Sequence, residues 1–255
     1  MKWKIIIRLY PLIVMGLLLL STNACKKNDD IKDDNNNGNN VPALETVTDI
    51  DGNVYHTVTI GTQTWMIENL KTTKYNDGSL IPLVTNGNAW SSLVTPGYCW
   101  YDNDEATYKN LYGALYNWYT VNTGNLCPTG WHVPTDSEWK ELEVHLGMMQ
   151  IQADTIGWRG TNQGSKLAGI DSLWTNGTLI WDSEFGTSGF TALPGGWRYH
   201  NLGQFNGIGG EGHWWSSTGY SSTNAWGRLL YSGKSEVKRG YGPLEEGYSI
   251  RCIKD

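Results

Sequence analysis

The stretch from 125 to 147 constrains the fold most, because it joins a cysteine, a Pro/Gly turn and a strong helix signal. Thr135 followed by Glu138 is a capping-box pattern, in which each side chain accepts a hydrogen bond from the other residue's backbone N–H. Three apolar residues follow at helical spacing on one face: Trp139, Leu142 and Leu146. Since Gly147 can end a helix in the left-handed conformation, we predict a helix over about 136–146.

Apolar patterning predicts the other elements with less detail. Leu111, Leu115 and Trp118 share a helical face, which predicts a second helix over 111–121. Alternating runs and turn signals predict a first hairpin and three closing strands: 54–60, 64–70, 214–218, 225–232 and 247–253. The region between the main helix and the closing strands is rich in Gly and Trp and has no clear period, so we expect irregular structure there.

The balance of residue types also favours loops. The chain holds 14 Trp, 14 Tyr and 31 Gly but only 3 Phe. Aromatic rings with a polar edge can be half-buried while the N–H or O–H finds a partner. The formal net charge is −6 and no basic patch stands out, which argues against nucleic acid as a partner.

The N-terminus has the architecture of a bacterial lipoprotein signal. Basic residues precede an almost wholly apolar run over 5–20, and Ala24-Cys25 closes it in a pattern that resembles a lipobox. An uncleaved anchor helix is the alternative, although the run is short for a membrane span. We predict a signal peptide over 1–24, lipidation of Cys25 and a disordered acidic and Asn-rich tether over 25–43. The folded domain would then be 44–255, held by lipid at the outer membrane or cell surface.

Three cysteines remain for the folded domain: Cys99, Cys127 and Cys252. A compartment beyond the inner membrane permits disulfides, and three cysteines allow one bond and one free thiol. The aromatic neighbours of Cys99 favour a buried thiol there. No Cys-x-x-Cys pair or His/Cys cluster suggests zinc, and we predict no cofactor.

One acidic cluster is a weak metal candidate. Asp102, Asp104 and Glu105 supply some of the oxygen ligands of a calcium loop, but the remainder of that pattern is missing. The favoured interpretation is a solvated turn.

Six segments resemble the Fibrobacter succinogenes major paralogous domain, a family of secreted and surface lipoproteins. They are TWMIENLK (64–71), YGALYNW (112–118), CPTGWHVPT (127–135), ALPGG (192–196), WSST (215–218) and YSIRC (248–252). The resemblance covers most of 47–255. It implies an α+β, C-type lectin-like fold with two helices, small antiparallel sheets and long irregular Gly/Trp-rich loops. It also implies a disulfide between Cys127 and Cys252.

Three functions are compatible with this resemblance. The first is a non-catalytic adhesion module that binds a glycan or a protein through aromatic loops. The second is a structural surface protein without a small ligand. The third is an enzyme related to the formylglycine-generating sulfatase-modifying factors, whose helix start resembles VPTDSEW (133–139). Those enzymes use two closely spaced cysteines, whereas Cys252 stands alone, and the histidines of this chain are scattered.

The binding hypothesis favours the irregular region over 156–212, because rigid strands there would hold variable loops. Two Trp-Arg pairs stand out, and Arg offers a planar fork of donors to a hydroxyl-rich or acidic ligand. We predict a ligand surface built from five residues: Trp158, Arg159, Trp197, Arg198 and Tyr199.

Overall fold

The computed structural model describes residues 45–255. The predicted signal peptide, Cys25 and the tether over 25–43 lie outside the described residues. Within the described part, no helix has the length and apolar character needed to cross a membrane.

Short strands and short helices alternate along the described chain. The strands are β1 (Thr46–Thr48), β2 (Val54–Ile60), β3 (Gln63–Met66), β4 (Tyr98–Cys99), β5 (Leu115–Tyr116), β6 (Trp131–His132), β7 (Gly157–Arg159), β8 (Gly195–Arg198), β9 (Phe205–Ile208), β10 (Glu211–Gly219), β11 (Asn224–Tyr231), β12 (Val237–Pro243) and β13 (Ile253–Lys254). The helices are α1 (Gly87–Ser91), α2 (Glu105–Tyr112), α3 (Trp118–Val121), α4 (Asp136–His145), α5 (Gln150–Ala153), α6 (Gln163–Leu167) and α7 (Thr178–Trp181). Two 3₁₀ turns lie at Tyr101–Asn103 and Asp171–Leu173. Helices beside mostly antiparallel sheets confirm the α+β class.

Five strands form a sheet in the order β1-β2-β3-β13-β6. The predicted first hairpin is confirmed, since β2 pairs antiparallel with β3 in the register Val58 to Trp65. The last strand, β13, enters the middle of this sheet, where Ile253 pairs with Trp65 on one side and His132 on the other.

Six strands form the larger sheet, in the order β7-β12-β11-β10-β8-β9. All its pairs are antiparallel except β10 with β8. Two of the predicted closing strands, 214–218 and 225–232, correspond to β10 and β11. The third, 247–253, is wrong for most of its length, because only Ile253 lies in a strand and the segment before it makes isolated bridges. The strand β12 replaces it in the sheet.

The main helix, α4, is confirmed. Thr135 caps it, and Thr135 and Glu138 make both hydrogen bonds of the capping box. The helix ends at His145 and is followed by Leu146 and Gly147. Gly147 has a φ of 100°, which only glycine adopts readily. Trp139 and Leu142 are buried on the apolar face.

The predicted helix over 111–121 is wrong. Helix α2 ends at Tyr112, because Gly113 has a φ of 75° and a side chain there would lie 2.7 Å from the carbonyl oxygen of Leu70. The chain then becomes β5, which pairs with β4, before the short α3 begins. Leu111, Leu115 and Trp118 do have helical spacing, but the pairing of β5 with β4 determines the local structure instead.

Tryptophan and tyrosine fill the core in place of phenylalanine. One cluster joins the two sheets through α4, where the Trp65 ring lies 5.1 Å from Trp139 and 5.5 Å from Phe190. The other contains the predicted disulfide, which is confirmed between Cys127 and Cys252. This bond ties the loop before β6 to the residue before β13.

Candidate ligand-binding face

The two arginines of the predicted ligand surface are buried in separate places. Arg159 donates to Glu143 at 2.6 Å inside the core. Arg198 donates to the backbone carbonyls of Thr85 at 2.9 Å and Gly203 at 3.0 Å. Because neighbouring side chains on a strand point to opposite faces, each Arg is turned away from the Trp before it. The predicted Trp-Arg surface is therefore wrong.

Tyr199 also stands apart from the rest of that set. It follows β8, is about 36% exposed, and its ring lies edge-on to His200 at 4.5 Å. Trp158 lies on β7, at one edge of the six-stranded sheet, and Trp197 lies on β8, four strand positions away. The two tryptophans nevertheless share one face of the sheet.

The strand register gives that face a definite order. Across the antiparallel pairs, Lys238 lies opposite Trp158 on one side and opposite Leu229 on the other. Leu229 in turn lies opposite His213 of β10. Residues that oppose each other across strands project from the same face, so these four side chains form a line.

Trp197 extends the line on β8. Gly196 pairs with Gly212 of the parallel neighbour β10, so the residues that follow both glycines project side by side. The Trp197 and His213 ring centroids are accordingly 4.4 Å apart. We name the resulting set the cross-sheet row, and each of its members is half-buried: Trp158, Lys238, Leu229, His213 and Trp197.

The row spans a substantial distance. Adjacent strands lie about 4.8 Å apart, so the two terminal tryptophans are separated by four spacings, or roughly 19 Å. At one end Tyr231 packs near the Trp158 ring, with centroids 6.4 Å apart. At the other end the Trp197 ring packs over Gly207, where a Cβ would come within 2.4 Å of it.

A small pocket opens beside the middle of the row. It has a volume of about 70 Å³, and its lining includes His213, Lys238 and Tyr248. Its floor is formed by Gly227 and Gly240, which oppose each other on β11 and β12. A Cβ on Gly227 would lie 2.9 Å from a backbone oxygen and 3.5 Å from the Tyr248 ring, so the glycine keeps this floor open.

Tyr248 closes one side of the pocket. Its ring stacks on Trp215 at a centroid distance of 4.1 Å and contacts His213 at 4.9 Å. Burial raises the pKa of the Tyr248 phenol well above its ordinary value, and the carboxylates of Glu246 and Glu211 raise it further. The phenol therefore remains protonated and able to donate.

His213 and Lys238 differ in charge at neutral pH. Burial lowers the pKa of His213 below its ordinary value, although a hydrogen bond to Glu211 opposes that shift. The neutral imidazole donates from Nε2 to the Glu211 carboxylate, 2.8 Å away. The Lys238 ammonium makes no salt bridge within residues 45–255.

Sequence reasoning missed the centre of this face. His213 counted only as one scattered histidine, and Lys238 lay in a stretch with no predicted strand. The alternation in VKRGYGP (237–243) was the available signal, but two glycines and a proline weaken it. The register that aligns the row is a tertiary property, which no local pattern carries.

The acidic cluster at 102–105 stabilises a helix start. Asp104 caps α2 by accepting from the backbone N–H of Thr107 at 3.1 Å. Glu105 pairs with Lys109 one turn later at 2.7 Å. Across 45–255 there is no group of three or more His, Cys, Asp or Glu side chains that could hold a metal ion.

The cysteines of the described region do not form a pair of reactive thiols. Cys252 is bonded to Cys127, and Cys99 is fully buried. Burial raises the pKa of the Cys99 thiol to about 12, so it remains protonated at physiological pH.

A second titratable pair lies near the Trp197 end of the face. The Glu246 side chain is almost fully buried, and its Oε1 lies 2.7 Å from Nδ1 of His200. Its Oε2 has no hydrogen-bond partner. Burial raises the pKa of Glu246 to about 7, although the contact with His200 opposes the shift.

Comparison with known proteins identifies a family but no characterised relative. No curated protein and no solved structure matches the chain. Residues 58–254 match the Fibrobacter succinogenes major domain, which covers most of the described fold, including the whole six-stranded sheet and the disulfide. The chain therefore belongs to the Fibrobacter succinogenes major domain family.

Proposed function

We propose that this protein is a lipid-anchored protein of the outer membrane or cell surface that binds a glycan through the cross-sheet row, without catalysing a reaction. The observation that carries the proposal is the row itself, with a half-buried tryptophan at each end and polar side chains between them. Aromatic rings supply large, rigid contact surfaces at low entropic cost, which suits the apolar faces of sugar rings.

The setting of the row supports recognition by a preformed surface. Its five residues come from five adjacent strands, whose mutual hydrogen bonds fix the spacing of the side chains. A site on paired strands is more precisely held than one on loops. The pocket next to His213 and Lys238 adds a concave point where a hydroxyl group could be placed.

We also propose a specific fold for residues 45–255. We assign a C-type lectin-like fold, supported by the disulfide that ties the segment before α4 to the last strand. Long irregular segments between α4 and β10 are also in keeping with it. The ligand face proposed here lies on strands, however, and not on those irregular segments.

Array binding tests the proposed ligand face. The labelled protein is applied to printed glycans and extracellular proteins, beside a Trp158→Ala, Trp197→Ala double variant. A matched control is Trp181→Ala, because that residue is about 71% exposed and lies on α7, outside the five strands that carry the row. We expect glycan spots that the double variant loses and the control keeps. Glycan binding that survives in the double variant, or binding to proteins alone, would count against the proposal.

Membrane fractionation tests the anchor. We expect Cys25→Ala to release the protein from the membrane fraction or leave it unprocessed, since the acyl chains on Cys25 would be its attachment. Incorporation of labelled fatty acid into the variant at the native level would refute lipidation at this residue.

A further inference from the structure

We infer that the ligand of the cross-sheet row is a linear saccharide that carries carboxylate groups, laid across the strands with an acidic sugar over Lys238. This inference rests on the proposed function and specifies the class of glycan. It follows from three features: the isolated charge of Lys238, the length of the row and the flat floor beside it.

The charge of Lys238 is open to a ligand, whereas the arginine side chains of the described fold are buried. Every one of them is buried: Arg159, Arg198, Arg228, Arg239 and Arg251. Lys238 is half-buried in the middle of the row and has no carboxylate partner within 4.0 Å in the described residues. A half-desolvated ammonium without a partner favours an anionic group in the ligand.

Neither Glu211 nor Glu236 forms a salt bridge with Lys238. Glu211 is engaged by His213 at 2.8 Å and lies opposite Tyr231, outside the row. Glu236 lies 4.0 Å from Lys234, whose ammonium is 5.9 Å from the Trp158 ring centroid. A ligand carboxylate would therefore meet the ammonium of Lys238 between the two tryptophans.

The length of the row requires a chain and excludes a single sugar as the full ligand. With roughly 19 Å between the terminal tryptophans, one ring cannot stack on both. An extended oligosaccharide can place rings on both tryptophans, and the Gly227–Gly240 floor leaves room for a middle ring to approach Lys238. An acidic peptide would satisfy the lysine, but it could contact both indoles with rings only if aromatic or proline residues fell at the matching spacing.

Calorimetric titration of the purified full-length protein in mild detergent tests the inference. The probes are linear galacturonic acid oligomers and the same oligomers as methyl esters, which keep the rings and remove the charge. The variants are Lys238→Met and, as the matched control, Lys254→Met. Lys254 is exposed on β13 and likewise makes no salt bridge within the described residues.

We expect the acid form to bind about two- to fivefold more tightly than the ester, the difference typical of a surface ion pair. Lys238→Met should abolish that difference by weakening the acid form more than the ester, whereas Lys254→Met should change the affinity of neither form. Trp158→Ala should weaken long oligomers more than short ones that reach only Trp197.

Three outcomes would overturn the inference, and they differ in what they say about the proposed function. Equal affinity for acid and ester would remove the acidic class but leave glycan binding by the row intact. Polyglutamate that binds as tightly as the acidic oligomer would reduce the site to charge attraction. Failure of both the acid and the ester oligomers to bind would remove the inference, while glycan spots that the Trp158→Ala, Trp197→Ala variant loses on the array would still support the proposed function.

Discussion

At the scale of single residues, the fold is held by a buried ionic cluster between α4 and the six-stranded sheet. Glu143 is fully buried and accepts from Arg159 at 2.6 Å and from Arg228 at 2.7 Å. Asp136 accepts from Arg228 and from Arg239, each at 2.8 Å. Burial alone would raise the pKa of Asp136, but the guanidinium groups of Arg239 and Arg228 outweigh it and hold the pKa below the ordinary value.

Removing one charge from this cluster should be costly. We expect Glu143→Gln to lower the free energy of unfolding by about 3 kcal/mol, because Arg159 would then be buried without a carboxylate and Arg228 would keep only Asp136. The control is Glu141→Gln on the exposed side of α4, where a change below about 1 kcal/mol is expected. Chemical denaturation measures both values, and equal losses in the two variants would contradict this account.

Glu246 should make stability depend on pH in the opposite sense to an ordinary carboxylate. Its folded-state pKa of about 7 exceeds its ordinary value of 4.5, so between these limits the folded protein holds a proton that the unfolded chain releases. Stability from this group is therefore full below about pH 4.5 and lost as the pH rises through 7.

Glu246→Gln should remove that dependence. We expect the variant to gain about 2 kcal/mol relative to the native protein at about pH 8 compared with about pH 5. Denaturation at the two pH values measures the difference, with Glu245→Gln as the neighbouring control. A Glu246→Gln effect of the same size at both pH values would show that the carboxyl does not titrate in this range.

At the scale of elements, the start of α4 is the best-specified point of the chain. We expect Thr135→Ala to lower the free energy of unfolding by about 1 kcal/mol, because it removes the side-chain acceptor for the N–H of Glu138. Ser137→Ala, exposed on the same helix, serves as the control and should change little. Thermal unfolding of both variants checks this, and comparable losses would mean that the cap contributes nothing specific.

Elements that local sequence patterns determine could be predicted from the sequence, and elements that depend on pairing with residues far away in the chain could not. Thr135, Glu138 and Gly147 lie in one helix or directly beside its ends, so their pattern was sufficient. In contrast, Leu115 follows an apolar helical stripe but pairs with Cys99 as strand. The spacing of Leu111, Leu115 and Trp118 holds no information about that partner.

The candidate site, too, could be predicted from the sequence only in part. The tryptophans at 158 and 197 were recognised as possible ligand residues, but each was grouped with the arginine that follows it. Once the segments are strands, alternation sends Arg159 and Arg198 into the core. Lys238 and His213 take their place, because strand register brings them together from positions 25 residues apart.

At the scale of the whole molecule, the Cys127–Cys252 bond is the main covalent constraint in the described fold. The bonded residues are 125 positions apart, and closing a loop of that size in the unfolded chain is worth about 4–5 kcal/mol in the chain-entropy description. We expect a Cys127→Ser, Cys252→Ser variant to unfold at a clearly lower temperature than the native protein. Cys99→Ser is the control for loss of a buried thiol, and a double variant as stable as that control would contradict the expectation.

The position of β13 also sets the order in which the molecule can be assembled. Its two neighbours, β3 and β6, are made long before Ile253 is, and neither touches the other until that residue arrives between them. A sheet cannot be completed on a growing chain before its internal strand β13 is made, so the edges of β3 and β6 that face β13 stay unpaired until then. Completion of the five-stranded sheet is thereby deferred until Ile253 has been synthesised. Pulse-labelled hydrogen exchange should show the amide of Met66, which donates to the carbonyl of Cys252, becoming protected together with Ile253 and not before it.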